Sequence, residues 1–214
     1  MCIRDRSVSD QDLDWLIGRH PELIAPFKTQ LASLGGTPAA VMRGIWGNHK
    51  GFEHIFCGQP KSTKIGGLHF WARYYDLQQK GQICMMDNNL SNEEVLPGKV
   101  YTIGVKSVRG DDSLKGYSLT QSAFDIFYQG TAGYFNECVS TSRKAGKNNN
   151  HGKPKGKGAR NNYEACLSPY YKDRSFVLQY VCNPGEGIVT MYPYASMRDG
   201  KMCTDIAAQT RRPR

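Results

Sequence analysis

Residues 175–194 read SFVLQYVCNPGEGIVTMYPY. Two runs of β-branched and aromatic residues flank a connection built from Asn183, Pro184, Gly185 and Gly187. Asn, Pro and Gly supply the dihedrals of a tight turn, so the segment predicts a β-hairpin. Moving toward the N-terminus, residues 100–105 (VYTIGV) and 123–128 (AFDIFY) have the same texture and are expected as strands. Further upstream the pattern is helical. Helices first and strands later argue for an α+β protein, N-terminal helices followed by antiparallel β-sheets, rather than alternating βαβ units.

The helical half carries its own punctuation. Ser9 and Asp12 stand at capping-box spacing, with Asp for the usual Glu, and predict a helix over 10–19 with Leu13, Leu16 and Ile17 on its apolar side. Pro21 at a first turn, followed by Leu23, Ile24, Phe27, Leu31 and Leu34, predicts a second helix that stops at Gly35 and Gly36. Residues 44–51 are rich in Gly and Asn and read as a loop, and the short aromatic run 52–57 reads as a strand. Leu68, Trp71, Ala72 and Tyr75 follow helical spacing over 68–80, with Gly81 as the stop. A short helix is expected within 130–142. The organisation expected is a helical region over 1–50, then a domain over 51–205 interrupted by a basic insertion at 142–162.

The chain has 214 residues, 39% of them hydrophobic and 22% charged, with a mean hydropathy of −0.55, which is the composition of a folded domain rather than a disordered chain. No run approaches the 18 or so apolar residues of a membrane-spanning helix. Residues 1–10, MCIRDRSVSD, hold no apolar core of signal-peptide length. Localisation is left open, with export favoured over the cytoplasm. The formal charge of +9 is uneven: seven basic and no acidic residues lie between Thr141 and Asn162, leaving 21 basic against 19 acidic elsewhere. Such a segment attracts phosphate backbones without reading sequence, or simply solvates a loop. Seven scattered cysteines, with no C-x-x-C pair, disfavour a knuckle-type zinc site and leave room for one or two bridges among the later ones.

The chemistry concentrates in two histidines 15 residues apart: His54 in GFEHIFCG (51–58) and His69 in IGGLHFW (65–71). Imidazole titrates near neutrality, so two of them facing one phosphodiester can divide proton transfer, one taking a ribose 2′-hydroxyl proton and the other protonating the leaving 5′-oxygen. A lysine offsets charge on the phosphorane between them. The plainer reading makes either histidine a structural residue.

FEHIFCG followed by GGLHFW resembles the active-site segment of EndoU-type endoribonucleases, a family that includes the coronaviral uridylate-specific enzyme. The hairpin over 175–194 resembles the paired strands that close the coronaviral domain. The resemblance implies an EndoU-like, ribonuclease A-like split α+β architecture and cleavage of single-stranded RNA 3′ of uridylates, leaving a 2′,3′-cyclic phosphate. It implies no cofactor for the chemistry itself, with Mn2+ as an activator at most. His54 maps onto the family's general acid and His69 onto its base. Lys115 in SLKGYS (113–118) is the expected third catalytic residue, 46 positions after His69, with Lys106 as its competitor 37 positions after. Gly67, Ser118, Thr190 and Tyr192 map onto substrate-binding positions, Thr190 and Tyr192 through the family's T-x-Y-P stretch at the uridine base. Eukaryotic members often carry a Glu five residues after the first histidine, where this chain has Gln59. If the protein is a toxin, an immunity protein is its expected partner; no membrane association is expected.

Three other readings compete. A non-catalytic single-stranded RNA-binding protein would use the basic insertion and the tyrosines. A metal-dependent hydrolase would draw on His49, His54, His69 and Glu53 or Asp76, although no H-E-x-x-H spacing is present. A thiol enzyme would use Cys57 as nucleophile beside a histidine, against which Cys57 reads as core packing.

Overall fold

The computed structural model describes residues 7–60, 65–90, 100–107, 110–139, 163–168, 177–194 and 204–205. The basic insertion expected at 142–162 lies outside them. Helix α1 (Asp10–Arg19) starts as predicted: Ser9 accepts from the Asp12 amide and the Asp12 carboxylate returns to the Ser9 backbone. The second helix is broken. Two 3₁₀ turns, Pro21–Leu23 and Ala25–Phe27, precede a short α2 (Lys28–Ala32), since Pro21 and Pro26 each enter at the start of a turn and cannot continue one. Helix α3 (Pro38–Gly47) replaces much of the expected 44–51 loop, capped by Thr37 with Pro38 in its first turn and burying Met42, Ile45 and Trp46.

Residues 53–57 form one π-helical turn, Glu53–Cys57, rather than a strand. Strands β1 (Gln59–Pro60) and β2 (Ile65–Gly66) then pair antiparallel. The helix expected over 68–80 begins at Trp71, as α4 (Trp71–Gln79), so His69 precedes it. A three-stranded antiparallel sheet follows, β3 (Ile83–Leu90), β4 (Val100–Ser107) and β5 (Gly110–Ser118), in that spatial order. The 123–128 run is helical, not a strand: α5 (Ala123–Gly133) is started by a Ser122/Asp125 capping box and continues into a π-helical turn, Tyr134–Val139. The second sheet runs β8-β7-β6-β9, from β6 (Tyr163–Ser168), β7 (Val177–Asn183), β8 (Gly187–Tyr194) and β9 (Thr204–Asp205). The β7–β8 hairpin stands as predicted, its turn closed by Glu186 N–H to the Asn183 carbonyl at 3.1 Å.

Two apolar cores result. The larger joins Leu13 and Ile17 of α1, Met42 and Trp46 of α3, Phe127 of α5, and Tyr180 and Ile188 of the hairpin. Trp46 stacks on Phe127 with centroids 4.5 Å apart and donates its indole N–H to Thr131 Oγ1 at 3.0 Å, so its polar atom is satisfied inside the core. The smaller joins Leu68 and, from α4, Leu77 to Ile83, Ile103, Val105 and Tyr117 of the three-stranded sheet. A disulfide joins Cys138 to Cys182, Cys57 and Cys166 are disulfide-bonded as well, and Cys84 is an exposed thiol. Among the described residues no helix is long and apolar enough to cross a membrane.

Candidate active site

The π-helical turn and the segment after β2 meet at backbone level. Leu68 N–H donates to the His54 carbonyl at 2.7 Å and His69 N–H to the Ile55 carbonyl at 2.8 Å. The approach depends on Gly67, with φ of +71°, where a Cβ would stand 1.9 Å from the His54 carbonyl oxygen. These contacts bring the two imidazoles to 5.8 Å between ring centroids, a gap that a phosphodiester's oxygens can bridge. Gln59 Oε1 lies 3.1 Å from His54 Nδ1.

Strand β5 adds Lys115, only 4% exposed, whose Nζ donates to the Ile65 carbonyl at 2.7 Å. Strand β8 adds Tyr192, which stacks on the His69 ring with centroids 5.0 Å apart. Thr190, two residues earlier on the same face, has a buried hydroxyl with no hydrogen-bond partner among the described residues. The two sheets come together here because Gly116 has no side chain: a Cβ would stand 2.4 Å from the Pro193 carbonyl.

His69 is held well below its usual value of 6.5, first by burial, then by the charges of His54 and Lys115, while a hydrogen bond with the Gly116 backbone opposes them. At neutral pH it is therefore an unprotonated imidazole, the form a base requires. His54 is half-buried. The pair is thus unequal in environment, which is how two like groups acquire different roles.

Of the residues singled out in the sequence, His54, Gly67, His69, Lys115 and Tyr192 converge. Ser118 is buried near the end of β5 with its hydroxyl 3.1 Å from Thr120 Oγ1, and no described contact joins it to the histidines. Lys106 stands exposed on β4, in register with Cys84 and Asp111. The metal set disperses: His49 contacts Glu186, Glu53 accepts from Val8 N–H at 3.3 Å, and Asp76 is held by Arg73 and Lys80. Among the described residues no three His, Cys, Asp or Glu side chains gather as a metal cage. The thiol reading fails because Cys57 is in a disulfide. Sequence reasoning missed Gly116 as a site element; a glycine that admits a distant strand carries no local signal.

The bacterial EndoU nuclease family model matches residues 48–195, which include both histidines, Lys115 and Tyr192. The chain belongs to the bacterial EndoU nuclease family. A uridylate-specific endoribonuclease of Paralichthys olivaceus is 48% identical over 33 residues, 15% of this chain and 9% of that protein. Another, from Mus musculus, is 37% identical over 43 residues, 20% of this chain and 10% of that protein. This EndoU chain therefore matches about a tenth of the length of those curated relatives. The structure of XendoU, described as a splicing independent snoRNA processing endoribonuclease, shares the fold. Its TM-score is 0.56 at 13% identity, over 90% of this chain and 72% of that one. The split α+β architecture expected from the sequence is thus an EndoU fold.

Proposed function

We propose that the protein is an endoribonuclease that cleaves single-stranded RNA 3′ of uridylates by attack of the ribose 2′-hydroxyl, leaving a 2′,3′-cyclic phosphate. The observation that carries this reading is the 5.8 Å pair of imidazoles, one of them buried and held neutral, beside a buried lysine. His69 takes the 2′-hydroxyl proton, the O2′–P bond forms, and the P–O5′ bond breaks as protonated His54 gives its proton to the leaving oxygen. No water is consumed, so the reaction is a transesterification. Lys115 offsets the extra negative charge of the pentacoordinate phosphorus. Thr190, whose buried hydroxyl has no hydrogen-bond partner among the described residues, and Tyr192 are assigned the reading of a pyrimidine's edge and face, a role that the relatives' name, uridylate-specific endoribonuclease, supports. No step is routed through a metal. The bonded Cys57, Cys138, Cys166 and Cys182 support action in an oxidising compartment, as in an exported enzyme.

The test is a short RNA with one uridine among adenosines, incubated with manganese, without it, and with chelator, the products being read by mass spectrometry. A cyclic phosphate 3′ of the uridine is expected in all three arms. His54→Ala and His69→Ala are each expected to lose about 10²–10⁴-fold in rate. Intact RNA that is nonetheless bound by the wild-type protein would favour the RNA-binding reading instead.

A further inference from the structure

We propose that Gln59 is the positioning residue of the acid histidine: its neutral side-chain amide fixes the His54 ring through Nδ1 and so assigns the transferred proton to Nε2. The proposal rests on the reading of His54 as general acid.

The contact is built from both ends. Gln59 opens β1, where its backbone pairs with Gly66, next to the Gly67 and Leu68 that deliver His69. Just before it, Gly58 N–H donates to the Glu53 carbonyl at 2.9 Å and closes the turn that carries His54. The amide is thus anchored to the same two segments whose junction sets the distance between the imidazoles. With Oε1 accepting at 3.1 Å, Nδ1 keeps its proton in both charge states of the ring. The proton that comes and goes is then that of Nε2, and a single ring orientation presents it.

The neutrality of the amide has a consequence of its own. A carboxylate at this position would orient the ring equally well but would stabilise the imidazolium and make it a weaker acid. Among the described residues, the His69 ring lies 5.8 Å from that of His54, Lys115 of β5 and Tyr192 of β8 are neighbours of His69, and Glu53 of the same turn accepts from Val8 N–H. Gln59 therefore orients the acid without trapping its charge.

The experiment compares wild type, Gln59→Glu and Gln59→Ala by the pH dependence of cleavage of the single-uridine RNA, and by NMR titration of ¹³C-labelled histidine. Gln59→Glu keeps the acceptor and adds charge. It is expected to move both the His54 titration and the alkaline limb of the rate upward, by about one pH unit, and to cleave faster at its optimum than Gln59→Ala. Gln59→Ala is expected to lose about 10–100-fold in kcat with little change in KM, since the ring is misdirected but RNA contacts remain. Equal melting temperatures establish that the variants are folded. A His54 titration unmoved in folded Gln59→Glu, or wild-type kcat in Gln59→Ala, overturns the proposal at the contact. A His54 titration that rises while the alkaline limb stays put overturns it through the acid role instead.

Discussion

His69 illustrates how one residue's surroundings fix its job. At 9% exposure, with His54 and Lys115 as positive neighbours, its protonated form is penalised, and burial is the leading cause. A base must be unprotonated, so the rate is lost as pH falls through the folded His69 pKa, and the acidic limb is expected well below 6.5. Lys115→Met removes one of the opposing charges. It is expected to move that limb upward in a pH–rate profile while leaving it below 6.5, since burial remains. A limb that stays in place or moves down would remove Lys115 from the neighbourhood of the base. Stability follows the same sign. The unfolded chain takes up a proton near 6.5 that folded His69 refuses, so this contribution is present above that pH and is lost as pH falls below it. The resemblance of the sequence implied unequal roles for the two histidines; the physical cause, burial of His69 by β5 and β8, joins segments far apart in the chain and carries no local signal.

At the scale of elements, what counts is how tightly two segments approach. Gly67 and Leu68 both have positive φ, +71° and +65°, and the turn they make sets His69 against His54. In Gly67→Ala the new methyl meets the His54 carbonyl, and the left-handed backbone adds roughly 1–2 kcal/mol of strain. The segments must separate, so cleavage is expected to fall by about 10²-fold or more, together with the melting temperature. Gly81→Ala serves as the control: its φ is +63° but a Cβ there meets nothing within 4 Å. It should lose stability and keep its rate; if Gly67→Ala behaves the same way, the close approach is not what assembles the site. The elements that misled the sequence reading share a cause. The runs at 52–57 and 123–128 are short and rich in aromatic residues, and α5 is buried on every side over 126–133, so no 3.6-residue period shows. Only the Ser122/Asp125 box marks that helix, and Thr37 with Pro38 marks α3. The β7–β8 hairpin was legible because its turn chemistry is local, whereas the meeting of Gly116 with Pro193 joins residues far apart in sequence.

Over the whole molecule, the larger core holds the N-terminal helices, α5 and the hairpin together, while the site hangs between that core and the three-stranded sheet. The Cys138–Cys182 bridge lies inside the larger core, both residues fully buried, and ties the turn after α5 to β7 across 44 residues of chain that include the basic insertion. Closing a loop of that length lowers the entropy of the unfolded chain by an amount worth about 4 kcal/mol at 25 °C, of which bridges commonly deliver about 2–4. The Cys138→Ala/Cys182→Ala double variant is therefore expected to lose about 2–4 kcal/mol in urea unfolding. Below its melting temperature it should cleave RNA within a few-fold of wild type, because the catalytic groups sit on the 53–69 segment, β5 and β8. Reduction of the wild type also opens the bonds of Cys57 and Cys166, and Cys57 lies in the turn that carries His54. Reduction should accordingly cost more stability than the double variant and should lower activity where the double variant does not. An unfolding midpoint unchanged in the double variant would mean that the bridge adds nothing to the stability that the core supplies.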